Sequence, residues 1–331
     1  MKTKTICLNM IVKNESLVIR RCLESVKPLI DYWVIVDTGS TDGTQVIIKE
    51  YMRDIPGNLH QIPWKNFAWN RNAALARARG KADYFLFIDA DNFLVYSKGF
   101  TLPNLEKDCY YAIMQIQYAG VVGLNKQALL IKDLPDFKWV GAVHETLSCQ
   151  TDKTTEVLDG VYNQGIQDGH RSEDPQKYYK DIELLENQCK HDPQNSRDRF
   201  YLAKTYLAIG NYPMALQNFE LRAAMNGQPE ETFYSLYLIA QIEMLLKKSP
   251  VIFINRFCKA IQTDPSRVEP IYDLASYFIR TKNYVLGYLI SNLGRSIPCN
   301  EAALFVEPWK YGQGVINQAI FCANHLKINP G

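Results

Sequence analysis

Apolar positions follow two different rhythms along this chain. In roughly the first ninety residues, short continuous apolar runs alternate with amphipathic stretches. Residues 5–12 and 32–36 are apolar runs of strand length, and Tyr84-Phe85-Leu86-Phe87-Ile88 is the clearest of them. Between the first two, Val18, Cys22 and Val26 recur every four residues with Ile19 and Leu23 beside them, which predicts a helix from about Ser16. The turn-rich residues 37–44 follow, with Ser40 or Thr41 expected to cap a helix carrying Val46, Ile47 and Ile48. A third strand is expected near residues 59–62, then an Ala-rich helix from about Phe67 through Ala78, ended by Gly80. Strands alternating with helices in this way predict an α/β domain on a parallel or mostly parallel sheet.

From about Asp174 the rhythm becomes wholly helical. Pro193, Pro229 and Pro265 lie 36 residues apart, and so do Leu202, Leu238 and Leu274. The pairs Leu221 and Phe257, and Ala224 and Ala260, keep the same interval. A period of 36 is close to the 34 of a helix-turn-helix repeat. Residues 200–206, then Gly210-Asn211-Tyr212 and Ala215, resemble a tetratricopeptide repeat. The expected domains are therefore 1–171, α/β, and 172–331, all-α repeats.

The chemistry stands where the strands stop. Parallel sheets bind ligands outside the carboxyl ends of their strands. Asp37 follows one apolar run, and Asp89 and Asp91 follow another. If the chain stays extended there, Asp89 and Asp91 point to the same side. Two neighbouring carboxylates repel unless a cation joins them, and Mg²⁺ or Mn²⁺ favours a few carboxylates plus phosphate oxygens. That suggests a divalent cation clamped between Asp89, Asp91 and a diphosphate.

The combination resembles a family 2 glycosyltransferase of the GT-A fold. The matching pieces are Ile11-Val12-Lys13-Asn14-Glu15, residues 36–44, Asn70-Arg71-Asn72 and residues 87–92, in that family's order. The resemblance implies transfer of a sugar from a nucleotide diphosphate, usually UDP, with Asp37 holding base or ribose and Asn14 and Glu15 at the edge of that pocket. It implies that Arg71 contacts the diphosphate or fixes the metal motif; the alternative is an exposed helix charge. Asp42 is equally read as a partner of the helix dipole. Lys138-Trp139-Val140-Gly141-Ala142-Val143-His144-Glu145 resembles the segment that ends the catalytic domain in a subgroup of these enzymes. An inverting transfer needs a base, and Glu145 is its candidate, against a reading as a structural salt bridge. Two further strands are expected between Asp91 and Glu145, placing the base across the sugar from the metal. His144 is open between metal, core and acceptor, and His170 is the candidate late metal ligand of the family.

Lys plus Arg total 37 against 35 Asp plus Glu, so the near-neutral balance gives no reason to expect nucleic acid. The eight cysteines show no zinc spacing and suit a reducing compartment. No stretch has the length of a membrane span or signal peptide, so a cytoplasmic location is expected. Repeats after such a domain resemble bacterial peptide S-glycosyltransferases, which implies a peptide, protein or glycan acceptor and leaves room for a homodimer through the repeats. Two other functions stand beside this one. A nucleotidyltransferase also places paired carboxylates on an α/β sheet, but the loop after the first strand lacks glycine. A non-catalytic repeat scaffold would not need Asp89, Asp91 and Glu145.

Overall fold

The computed structural model describes residues 4–118, 121–166, 168–300 and 303–329. Their contacts divide the chain into two compact units, Met1–Lys180 and Asp181–Gly331.

The first unit opens as the alternating pattern predicts: β1 (Ile6–Val12), α1 (Ile19–Val26), β2 (Tyr32–Asp37), α2 (Thr44–Tyr51), β3 (Gly57–Gln61), α3 (Phe67–Ala78) and β4 (Tyr84–Phe87). Then come β5 (Asn92–Tyr96), β6 (Cys109–Tyr118), β7 (Val121–Lys132), the short β8 (Lys138–Val140) and β9 (Thr146–Ser148), β10 (Thr155–Gly165) and a single turn, α4 (His170–Glu173). Eight strands form one sheet in the order β3-β2-β1-β4-β7-β6-β10-β5, and β8 pairs with β9 apart from it. The pairs among β1, β2, β3 and β4 are parallel; β7 joins β4 antiparallel. Four strands, not two, separate Asp91 from Glu145. The antiparallel strands β6 and β7 carry a mixed apolar and polar pattern that does not stand out as an apolar run.

Parallel strands are buried on both faces, which is why β1, β2 and β4 read as unbroken apolar runs. Ile6, Leu8, Met10 and Val12 of β1 pack with Ile19, Cys22, Leu23 and Val26 of α1, while Cys7 joins Val34, Phe85 and Phe87 on the opposite face with Leu75 and Ala78 of α3. The α1 stripe is the predicted one, but regular helix starts at Ile19; Ser16 to Val18 form a turn in which Val18 and Ile19 donate to the Glu15 carbonyl. The cap of α2 is also displaced. Neither Ser40 nor Thr41 sits there. The N-cap is Gly43, left-handed at φ 93°, and Asp42 accepts from the Thr44 backbone and hydroxyl.

The second unit is a run of helices: α5 (Lys177–His191), which begins just before it, α6 (Ser196–Ala208), α7 (Tyr212–Ala223), α8 (Pro229–Leu245), α9 (Pro250–Thr263), α10 (Glu269–Arg280), α11 (Tyr284–Gly294) and α12 (Gln313–Leu326). A 36-residue period spans two helices, so equivalent positions come side by side on alternate helices of successive repeats. Tyr237 donates to Asp273 at 2.6 Å, and Arg256 pairs with Glu220 at 2.7 Å. Asn211 and Asn283, two periods apart, each cap a helix by accepting from the third residue on, Met214 and Leu286. Leu202, Leu238 and Leu274 are all buried, but Leu221 and Ala224 are exposed where Phe257 and Ala260 are buried, so those two pairs share only their spacing. No described helix is long and apolar enough to cross a membrane.

Candidate active site

The carboxyl ends of β1, β2 and β4 lead into the segments that carry Glu15, Asp37, Asp89 and Asp91. At β2, Asp37 is fully buried. Its Oδ1 accepts from the backbone of Gly39 and Ser40 and from Gln45, each at 2.9 Å. Its Oδ2 is buried and has no hydrogen-bond partner among the described residues. A bare carboxylate oxygen out of water is costly, so this atom is a ready acceptor for a ligand donor. The loop after β1 is laced to the loop after β2. Asn14, left-handed at φ 56°, donates from its backbone to Ser40 and accepts from Thr41; Glu15 and Ser16 donate theirs to Thr44 and Asp42. Against the cost of burial, the hydrogen bonds from Thr44 and Ser16 hold Asp42 below the usual carboxylate range, so Asp42 is a loop brace and helix partner.

At β4 the alternation of faces continues one step past the strand. Asp89 follows Phe85 and Phe87 onto the α3 side and meets Arg71 at 2.6 Å. The chain then turns instead of staying extended, with Asn92 donating to the Asp89 carbonyl. The expectation that Asp89 and Asp91 share a side through an extended backbone is thereby corrected, although the two carboxylates remain close enough to repel. Burial, and then Asp89, pushes the Asp91 carboxyl up. Burial likewise pushes Glu15 up to about 7, Asp91, Asp42 and Asp89 adding to the rise while the His170 backbone N–H opposes it.

Arg71 is only 9% exposed, which removes the reading of an exposed helix charge. Its Nε meets Glu145 at 2.5 Å, its Nη2 meets Asp89, and its guanidinium lies 4.9 Å from the centre of the Trp139 ring. Burial works against the charge, but Asp89 and Glu145 together raise its proton affinity. The three residues Asn70-Arg71-Asn72 point three ways from α3. Asn70 braces the preceding loop through Lys65 and Pro63. Asn72 exchanges two hydrogen bonds of 2.8 Å with the Trp139 backbone, fixing the hairpin that carries Glu145. That hairpin turns through Gly141 and His144, both left-handed, at φ 96° and 54°. The ion pair weighed for Glu145 is thus present, and it puts Glu145 beside Asp89 through one shared guanidinium.

The segment after β10 closes against this cluster. Gly169 is buried, and a Cβ there would lie 3.0 Å from the Asp91 Cβ and 3.1 Å from Glu15 Oε2. The His170 backbone donates to Glu15 Oε2 at 3.3 Å, while the His170 residue itself is exposed. Gln167, two residues before Gly169, lies outside the described residues. Asp168 is held by Arg21. Among the described residues no three His, Cys, Asp or Glu groups form a preassembled metal cage. The crowding of Asp89, Asp91 and Glu15 fits a cation that takes only one or two protein oxygens and completes its shell from phosphate. A cavity of about 670 Å³ lined by Tyr96, Phe100 and Leu102 contains none of these groups.

Sequence reasoning did not single out Gly169 or Arg21, because a contact distance leaves no periodic trace. The space at Gly169 is testable. Gly169→Ala should push Asp91 or Glu15 aside and weaken the nucleotide binding expected from the sequence several-fold, with the melting temperature moving by only a few degrees. Unchanged binding by calorimetry would mean that the neighbouring side chains give way freely.

Residues 7–120 match the family model described as "Glycosyl transferase family 2". The chain is 31% identical over 144 residues to a TPR repeat-containing protein of Synechococcus elongatus, covering 42% of this chain and 34% of that one. It is 40% identical over 97 residues to the SPbeta prophage-derived glycosyltransferase SunS of Bacillus subtilis, covering 29% of this chain and 22% of that one. The chain thus spans about a third or less of the length of these curated relatives. Among solved structures, S. aureus TarS 1-349 in complex with UDP-GlcNAc aligns over 86% of this chain and 90% of that one, at 15% identity and a TM-score of 0.38. The strand-end carboxylates Asp37, Asp89 and Asp91 thus all fall within residues 7–120, the segment of this chain that matches the glycosyltransferase family 2 model.

Proposed function

We propose that this chain is an inverting, divalent-metal-dependent glycosyltransferase that uses a UDP-linked sugar, with residues 1–171 binding the donor and the repeats of residues 172–331 serving a peptide, protein or glycan acceptor. The observation that carries the reading is the buried, unpartnered Asp37 Oδ2 on the same sheet edge as the Asp89–Arg71–Glu145 chain. Asp37 accepts from the base or ribose, with Asn14 and Glu15 shaping the edge of that pocket. Asp89 and Asp91 face the diphosphate, and His170 stands as a further candidate ligand. A bound Mn²⁺ or Mg²⁺ supplies neutralising charge for the leaving diphosphate. Glu145 takes the proton of the attacking acceptor group while Arg71 fixes its orientation.

UDP affinity should fall sharply after EDTA treatment and return on addition of Mn²⁺, because carboxylates facing a diphosphate repel it without a cation between them. Calorimetry giving equal affinity with and without metal would remove the cation from this reading. The nature of the released product tests the reaction class. Transfer of a sugar from a UDP-sugar releases UDP, whereas a nucleotidyltransferase would release pyrophosphate from a nucleoside triphosphate.

A further inference from the structure

α1 lies against the turn that carries the acidic motif and the strand β5 that follows it, and three of its residues hold them. Cys22 lies 3.4 Å from the Asp89 carbonyl, and the Ser25 hydroxyl accepts from Leu94 at 2.9 Å. Arg21 reaches furthest. Its Nη2 donates to the Asp91 carbonyl at 2.9 Å, and its two terminal nitrogens grip both oxygens of Asp168 at 2.8 and 2.9 Å. The guanidinium also lies 5.0 Å from the centre of the Phe93 ring. Asp168 immediately precedes Gly169, where a side chain would press on Asp91 and Glu15, and His170, whose backbone donates to Glu15. One planar cation therefore joins the backbone of the motif to the segment packed on its carboxylates.

We propose that Arg21 is a positioning residue: it ties the Asp91 turn to the segment of Asp168, Gly169 and His170, and so fixes the Asp91 and Glu15 carboxylates where a cation and diphosphate are received. The proposal rests on the donor reading given above. The physical need is electrostatic as well as geometric. Without a cation between them, Asp168 would add a further negative charge to a cluster that already holds Asp89, Asp91 and Glu15. A fork of two parallel hydrogen bonds plus a third to a carbonyl is specific to arginine; lysine carries the same charge but cannot make all three in that plane.

The test uses the full chain with Arg21→Lys, Asp168→Asn and the double variant. Partners outside the ligand shell typically tune metal affinity by about 10–100-fold. The dissociation constant for UDP with Mn²⁺ should therefore rise about tenfold in each single variant, and the double variant should be no weaker than either. UDP affinity without metal should stay unchanged, since Asp37 lies at another strand end. Hydrogen exchange at residues 168–173 should accelerate in the variants while β4 remains protected. Wild-type affinity in both single variants, or losses that add in the double variant, would overturn the proposal. If the wild-type chain shows no Mn²⁺-dependent UDP binding, the donor reading fails; exchange then decides alone, acceleration supporting the Arg21 tie and unchanged exchange overturning it.

Discussion

Glu145→Gln should lower glycosyl transfer by about 10²- to 10⁴-fold, the usual contribution of a general base, while UDP affinity in the presence of Mn²⁺ changes by no more than a few-fold. Glutamine keeps the shape of the side chain and an oxygen to accept from Arg71, but it cannot take a proton from the acceptor. The geometry makes the control essential. Glu145 shares Arg71 with Asp89, through contacts of 2.5 and 2.6 Å, so a Glu145 that merely braced Asp89 would show itself differently. In that case donor binding and transfer would fall together. Transfer within a few-fold of the wild type would assign the base elsewhere, and His144 would be the next candidate in this hairpin. Asp168 is the weaker alternative, because Arg21 occupies both its oxygens and holds its carboxyl below the usual range.

Arg71→Met should destabilise the first unit by roughly 3 kcal/mol, at the lower end of what breaking a buried ion pair costs. The lower end applies because Asp89 is 39% exposed and keeps part of its hydration, whereas Glu145 is 11% exposed and would be left charged and unpaired. For a unit of this size that corresponds to a melting temperature lower by roughly 6–12 °C. Pairing Arg71→Met with Glu145→Gln should recover part of the loss, since the second change removes the orphaned charge. A single variant that melts with the wild type would show that water or a rearranged side chain replaces the guanidinium without cost.

Much of this architecture is local and could be read locally. The unbroken apolar runs of β1, β2 and β4 arise because those strands are covered on both faces, and α3 begins and ends at the predicted residues because Asn66 caps it and Gly80 leaves it at φ 72°. The 36-residue interval announced the repeats because each repeat must present equivalent residues to its neighbour. The turn at Asp89 was not legible, since a two-residue interval says nothing about whether the strand continues. The burial of Leu221 against that of Phe257 was equally hidden: equal spacing fixes a position in a repeat, but the neighbours at that position decide whether it is covered.

The sequence by itself determined the strand-end carboxylates Asp37, Asp89 and Asp91, the alternation of strand and helix that puts them on one edge, and the change to helical repeats. Those follow from periodicity, which acts over a few residues. Only the tertiary structure decided that Arg71 is buried between Asp89 and Glu145, residues 18 and 74 positions away. It alone set Asp168, Gly169 and His170 beside Arg21, Asp91 and Glu15. Such contacts are fixed by which faces of distant elements pack together, and a guanidinium selects its carboxylates by distance in space, with no regard for distance along the chain.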